Sequence, residues 1–481
     1  MDEAQIFLVV GGVLAAGILV ALGASKIGIP SLVAFLGLGM LLGSEGIGNI
    51  AFNDAHLART VGVIGLATIL FEGGLSTSWR RLREVVVPAT MLSTVGVAIT
   101  ALLTGVGAYF LFDLPWVSAL LLGAVVSSTD AAAVFATLRY TQIRRKLART
   151  LEAESGGNDP MAIALTIGLI AWIQQPTYDL SDLGLLLIQQ IGLGLLVGVV
   201  FGAVAMWVFA RLPHSVGSFA PVASLATLAL TFGAAAQIGG SGFLAVYLVG
   251  LAIGSTPSRY RNQLVMFHEG LAFLAQVTMF VVLGLLVLPH KLMAVAVPSL
   301  VLAILLVIIV RPIAVYISVF FSDFSVRERG LLGWAGLRGA LPIVLGTFVL
   351  SAHIPNGEAI FNIVFFIVLV SSLIQGTTLE WVADRLGVVD KPLRPTPKPD
   401  SIAALEVVEF IVADRHSIVG AKVKEIGLPR KAQVTIIERG KKKITPASKT
   451  VIHLDDRLFV TVPGSLRPEL EDVFMRWRRR V

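Results

Sequence analysis

The stretch Leu151–Ile170, LEAESGGNDPMAIALTIGLI, decides how this chain is read. Its second half is apolar enough for the interior of a bilayer. Glu152, Glu154 and Asp159 stand in front of that half, and Pro160 follows at once. A carboxylate in a membrane segment costs about 2.5–3.5 kcal/mol even on a lenient scale. Three of them in one segment therefore call for a use.

The surrounding sequence is that of a polytopic α-helical membrane protein. Of 481 residues, 56% are hydrophobic and 14% charged, with a mean hydropathy of +0.84, whereas soluble domains carry about 25% charged residues. Windows of about 20 apolar residues fall near 5–24, 28–48, 60–77, 85–112, 116–138, 150–173, 181–210, 217–236, 239–255, 263–288, 292–321, 329–350 and 357–378. This predicts about thirteen transmembrane helices, with 217–255 the least distinct because Gly239 and Gly240 divide two short runs. The first run, Ile6–Ala24, follows Asp2 and Glu3 rather than a basic leader and reads as a retained span. With no cysteine, disulfides, thiol nucleophiles and thiolate metal sites are excluded.

Alternate connections carry the basic residues. Lys26, Arg80, Arg81, Arg83, Arg139, Arg144, Arg145, Lys146, Arg149, Arg211, Arg259, Arg261, Arg327 and Arg329 fall on one side, and Arg59 and Lys291 on the other. The positive-inside rule makes the first side cytoplasmic, placing the N-terminus outside and the C-terminus inside. The net charge of +7 thus reports basic loops, and no nucleic-acid partner is expected.

The composition changes near residue 385. A proline-rich linker, 386–402 with LRPTPKPDS at its centre, separates the membrane part (1–385) from a soluble α+β domain (403–481). There, VVEFIVA, AQVTIIERG and RLFVTV alternate as strands do. IVGAKVKEIGLPR between them reads as a short helix, and LRPELEDVFMRWRRR as a terminal amphipathic one.

Four charged residues converge in depth. Asp130, Asp159, Arg338 and Arg311 lie nine to eleven residues inside their helices, about 13–16 Å deep at the helical rise and near the midplane of a ~30 Å core. Capping and snorkelling, the ordinary explanations of a lone Asp or Arg, do not reach that depth. An ion or proton pathway does. Ser155 and Asp159, four apart, share a helix face with Asn158 beside them. Pro160 deprives the Gly156 carbonyl of its helical partner, and Gly156 and Gly157 let a neighbour approach. SSTDAAAVF offers Ser127, Ser128, Thr129 and Asp130, and GWAGLRGALPI surrounds Arg338 with Gly336, Gly339 and Pro342. Both stretches read as breaks in helices, the pattern of a secondary-transporter site. They lie seven helices apart, an odd offset that gives the opposite orientations an inverted repeat requires.

SSTDAAAVFATLR, LEAESGGNDPMAIALT, FHEGLAFLAQVTMFVVLGLLV and GWAGLRGALPIVL, in that order, together with LFEGGLSTSWRRLR from Leu70, resemble the NhaP-type branch of the Na+(K+)/H+ exchanger superfamily over about residues 5–380. The tail from about 403 resembles the C-terminal TrkA-C (RCK-C) regulatory module. The resemblance implies a bacterial inner-membrane antiporter, embedded in lipid and homodimeric, with two crossing broken helices. Asp159 would hold the cation and the proton in turn, because burial favours its neutral form and a nearby cation its charged form. Thr129, Asp130 and Ser155 would complete the cation shell, some through backbone or water. Asn158 replaces the second Asp of electrogenic relatives, which implies electroneutral one-for-one exchange. Glu154 would pair with Arg338, and Arg311 would stabilise the helix crossing. K+ is favoured over Na+ by GGNDP combined with the tail. The alternative is a Na+-selective antiporter.

No cofactor is implied. The tail lacks the GxGxxG half of a full module, so NAD is not expected there, and the reading leaves a small ligand or nucleotide open. Gly192, Gly194 and Gly198 lie in a span and read as packing. Glu72, Gln276 and His268 are read as structural polar groups, and Glu152 as reaching the interface near Arg149. An intramembrane aspartyl protease would need YD and GxGD motifs at its two buried aspartates, whereas Asp130 and Asp159 follow Thr129 and Asn158. A tail-gated channel is the remaining rival, separable by saturable, reversible exchange.

Overall fold

Backbone in lipid must satisfy its hydrogen bonds internally, which apolar runs do by forming helices. The computed structural model describes residues 2–27, 29–138, 143–211, 219–256, 260–389, 405–414, 416–429, 431–440, 442–463 and 466–478. Arg139, Arg259, the proline-rich segment and the last three residues, all used in the sequence reading, lie outside them. The chain forms two compact units, Met1–Asp390 and Lys391–Val481.

The first unit is all helical: α1 (Glu3–Ile27), α2 (Ser31–Leu42), α3 (Ala55–Ser76), α4 (Val86–Phe112), α5 (Trp116–Val125), α6 (Ala131–Thr137), α7 (Arg145–Gln174), α8 (Leu180–Arg211), α9 (Ala220–Gln237), α10 (Gly242–Ser255), α11 (Arg261–Leu285), α12 (Pro289–Ser318), α13 (Val326–Trp334), α14 (Ala340–Ser351) and α15 (Gly357–Leu386). Among the described residues, seven of these are long and apolar enough to cross a membrane. The division of 217–255 falls at Gly239, whose φ of +79° suits glycine.

Small residues bring helices close, as they must where lipid supplies no hydrophobic drive between them. A Cβ on Gly74, Gly250 or Gly254 would overlap the facing backbone where α3 crosses α10, and one on Gly39 or Gly284 would do so between α2 and α11. Of the three α8 glycines expected to serve packing, Gly194 and Gly198 press on Ser241 and Leu248, and Gly192 meets nothing within 4 Å.

Two helices are interrupted. α5 stops at Val125 and α6 starts at Ala131, and α13 stops at Trp334 with α14 starting at Ala340. The two breaks meet: the Asp130 amide donates to the Leu337 carbonyl at 2.9 Å. α7 passes beside them without a break despite Pro160. Its Leu147, Leu151, Glu154, Asn158 and Ala162 recur at helical spacing and are all buried. α4 and α12 each contain one π-turn, Leu92–Gly96 and Leu306–Val310, a form often found at functional sites.

The second unit is an antiparallel sheet of β1 (Leu405–Ile411), β2 (Gln433–Arg439), β3 (Lys442–Ile444) and β4 (Arg457–Pro463), ordered β1-β4-β2-β3, with a terminal helix α16 (Arg467–Trp477). Phe410, Ile437, Leu458 and Val460 are buried with Leu470, Phe474 and Trp477 of α16. The short helix expected at IVGAKVKEIGLPR is reduced to one 3₁₀ turn, Val423–Glu425. The amides of Val423 and Lys424 pair instead with the carbonyls of Thr450 and Ser448, and Gly420 and Gly427 take positive φ. Pairing with a distant segment wins over local propensity.

Candidate functional site

Asp159 lies midway along α7, 7% exposed, and its Oδ1 accepts a hydrogen bond from Ser128 Oγ at 2.6 Å. Ser128 belongs to the break between α5 and α6, where side chains and backbone are both free of helical duties. One residue on, Thr129 Oγ1 accepts from Asn158 Nδ2 at 2.7 Å and faces Glu154 Oε1 at 3.4 Å. Ser155 Oγ lies 3.4 Å from the amide of Ala131. Asp130 caps α6, its Oδ1 accepting from the Ala133 amide at 3.1 Å. Its carboxylate lies so close to Gly339 that a Cβ there would overlap it. Two buried oxygens, Glu154 Oε2 and Asn158 Oδ1, have no hydrogen-bond partner among the described residues. The break of α5–α6 and one face of α7 thus bring Thr129, Asp130, Ser155, Asn158 and Asp159 together. Two carboxylates among hydroxyl and amide oxygens are a hard donor set suited to a monovalent cation.

The arginines exchange the parts expected of them. Glu154 pairs with Arg311, whose Nη2 donates to Oε1 at 2.6 Å, both side chains being at most 2% exposed. Arg338 holds the crossing: its Nη1 donates to the carbonyls of Ser127 and Ser128 at 2.9 and 2.8 Å. Depth along a helix cannot distinguish two arginines at one level; their position around the bundle does. The π-turn of α12 ends immediately before Arg311, and that of α4 presents Ser93 against Gly157, directly behind the site.

Asp159 and Asp130 line a cavity of about 400 Å³ that continues past Glu72, Ser76, Thr77 and Glu152. That end adjoins Arg80, Arg81 and Arg149 in sequence, the side rich in basic residues. Glu152, read as interfacial, therefore lines the passage, and so do Glu72 and Gln276. Glu72 also accepts from Ser76 Oγ at 2.7 Å. His268 is a core residue with its Nε2 2.8 Å from Ser224 Oγ. On the other side α3 closes against α14: Gly62 packs on Val344, and the Arg59 guanidinium stacks over Phe348 at 4.0 Å.

Two features escaped the sequence reading. In the sequence Ser128 is one of four polar residues in a row, and in the fold its hydroxyl donates to Asp159. The hydroxyls and amide of α15, at 371, 372, 375 and 378, sit inside an apolar span, where their helical spacing is the only mark they leave in the sequence.

Comparison with known proteins shows the family and the fold. Residues 12–385 match the family model described as the sodium/hydrogen exchanger, transmembrane, and residues 407–475 match the TrkA-C domain. The K(+)/H(+) antiporter NhaP2 of Shewanella sp. (strain ANA-3) is 38% identical over 469 residues, 95% of this chain and 81% of the relative. The K(+)/H(+) antiporter NhaP of Alkalimonas amylolytica is 37% identical over 475 residues, 97% and 82% of the two chains. A solved structure of the sodium proton antiporter MjNhaP1 from Methanocaldococcus jannaschii shares the fold, with a TM-score of 0.71 at 24% identity over 80% of this chain and 99% of that one.

Proposed function

The chain belongs to the sodium/hydrogen exchanger transmembrane family, and from that premise we propose that it exchanges K+ for protons across a bacterial inner membrane, one for one. The observation that carries the reading is the Asp159 carboxylate, buried in the wall of the cavity with one hydroxyl donor and, among the described residues, no arginine hydrogen-bonded to it. Such a group is neutral with a proton and neutralised by a cation, and either ligand excludes the other. Coupling follows if the empty, charged carboxylate cannot cross.

Asn158 supports electroneutral exchange, since its amide occupies a position beside Asp159 without adding charge. The Glu154–Arg311 pair cancels internally. Thr129, Asp130, Ser128 and Ser155 are the oxygens proposed to surround the cation, and Arg338 to lock the crossing. K+ is favoured by relatives named as K+/H+ antiporters that cover nearly the whole chain. The cavity on one side of Asp159 and the α3–α14 seal on the other support alternating access by a bundle that rocks. Thirteen spans in inverted repeats, the N-terminus outside, and a homodimer complete the proposal. A linker over 386–402 would carry the TrkA-C domain in the cytoplasm, where a small ligand sets the rate.

The test is proton flux in proteoliposomes with K+, Na+, Li+ and Rb+, using the full chain and a chain ending at residue 392. Saturable, reversible flux with K+ is expected, altered in rate by the truncation. Conductive, unsaturating flux would turn the reading into a channel, and flux with Na+ alone into a sodium exchanger.

A further inference from the structure

The break between α13 and α14 exposes carbonyls that no helical amide reaches, the ordinary deficit of a helix C-terminus. In lipid that deficit must be met by protein. One stripe of α15 meets it. Gln375 Nε2 donates to the Trp334 carbonyl at 2.7 Å, at the start of the break. Ser372 Oγ donates to the Arg338 carbonyl at 2.9 Å, near its end. Ser371 Oγ donates to Gln375 Oε1 at 2.5 Å and orients the amide. The Trp334 indole in turn donates to Thr378 Oγ1 at 3.1 Å. Ser371, Ser372 and Gln375 are fully buried, and 372, 375 and 378 repeat every three residues on one face.

The residue fixed at the far end of this stripe is Arg338. Its backbone is held by Ser372, and its guanidinium grips the Ser127 and Ser128 carbonyls. The Ser128 hydroxyl then reaches Asp159. We infer that Ser372 and Gln375 are positioning residues of the cation site: acting through the unwound 335–339 backbone, they set where Arg338, and hence the Ser128 hydroxyl, stands relative to Asp159. Neither touches the cation. Their removal frees the Arg338 carbonyl end of the break and lets the facing break relax, so the first property to change is the match between Asp159 and its ligands.

The inference rests on the antiport reading, and the experiment separates the two. Full-length wild type, Ser372→Ala, Ser372→Thr and Gln375→Leu are compared in proteoliposomes for cation KM, maximal rate, pH profile and thermal midpoint. Ser372→Ala is expected to raise the cation KM about fivefold, the weight of one buried neutral hydrogen bond, and to displace the pH profile. Ser372→Thr keeps the hydroxyl and is expected to restore both. Gln375→Leu is expected to move KM in the same direction. Should Gln375→Leu fail to fold, the two Ser372 variants carry the test alone. An unchanged KM and pH profile in Ser372→Ala, with or without a lower midpoint, overturns the inference, as does equal loss in Ser372→Ala and Ser372→Thr. Absence of exchange in the wild type overturns the antiport reading instead.

Discussion

At the scale of single residues, the buried charges fall into two classes with different expected responses. Asp159 is the one proposed to exchange its ligand. Asp159→Asn keeps the volume and removes the charge, so cation-dependent proton flux is expected to fall to background while the thermal midpoint holds. Residual coupled flux in that variant would remove Asp159 from its role. Glu154 and Arg311 are the fixed pair. Arg311→Met strands a buried carboxylate and is expected to cost about 3–5 kcal/mol of stability. Glu154→Gln with Arg311→Met should recover a large part of that in denaturant titration, and equal destabilisation of single and double variants would contradict the pairing. The grouping of Ser155, Asn158 and Asp159 was legible because helical spacing fixes which side chains share a face. The partner of Glu154 was not, because both arginines lie at one depth and sequence carries no azimuth.

Elements were legible where a period was long and uniform. The breaks at Ser127–Asp130 and around Arg338 announced themselves through small and polar residues in apolar runs. The 418–430 segment of the tail misled, since a helical start and stop enclose residues whose amides are claimed by the chain at 448–452. The same domain offers a pH prediction. Burial alone would push the Asp456 carboxyl up. Two hydrogen bonds from Arg439, at 2.7 and 2.8 Å, and one from the His453 amide at 2.8 Å outweigh it and hold Asp456 below the usual carboxylate range. A lowered carboxyl contributes stability above its unfolded value, about 3.9, and loses that contribution as pH falls through the folded value. Amide protection in β2 and β4 of the full chain is therefore expected to hold from pH 7 to about 5 and to fail in stronger acid. Arg439→Met should lose the step. Identical acid profiles for the two proteins would show that another group controls the transition.

For the whole molecule, α3 carries the clearest sign of a moving part, because its two ends do opposite things. Its last turns, through Glu72 and Ser76, line the cavity, and its first turns, through Arg59 and Gly62, close on α14. If the bundle rocks, the closed end must open in every cycle. A Cβ at Gly62 would lie 3.5 Å from Val344 Cβ, within the spacing a disulfide accepts, and the chain has no other cysteine to interfere. In the Gly62→Cys/Val344→Cys variant, oxidation is expected to stop exchange and reduction to restore it. Full cross-linking with undiminished exchange would make this seam a static interface.

Asn158 has a further consequence, for how far such a protein can work. On the proposed stoichiometry a site with one exchangeable carboxylate comes to rest when the cation ratio across the membrane equals the proton ratio. Each pH unit of difference then holds about a tenfold cation ratio, and the membrane voltage adds nothing. A second carboxylate in place of that amide would let voltage drive steeper accumulation or extrusion. With the amide, that stoichiometry would make the protein a relief valve, releasing surplus cation only as far as the acidity outside allows.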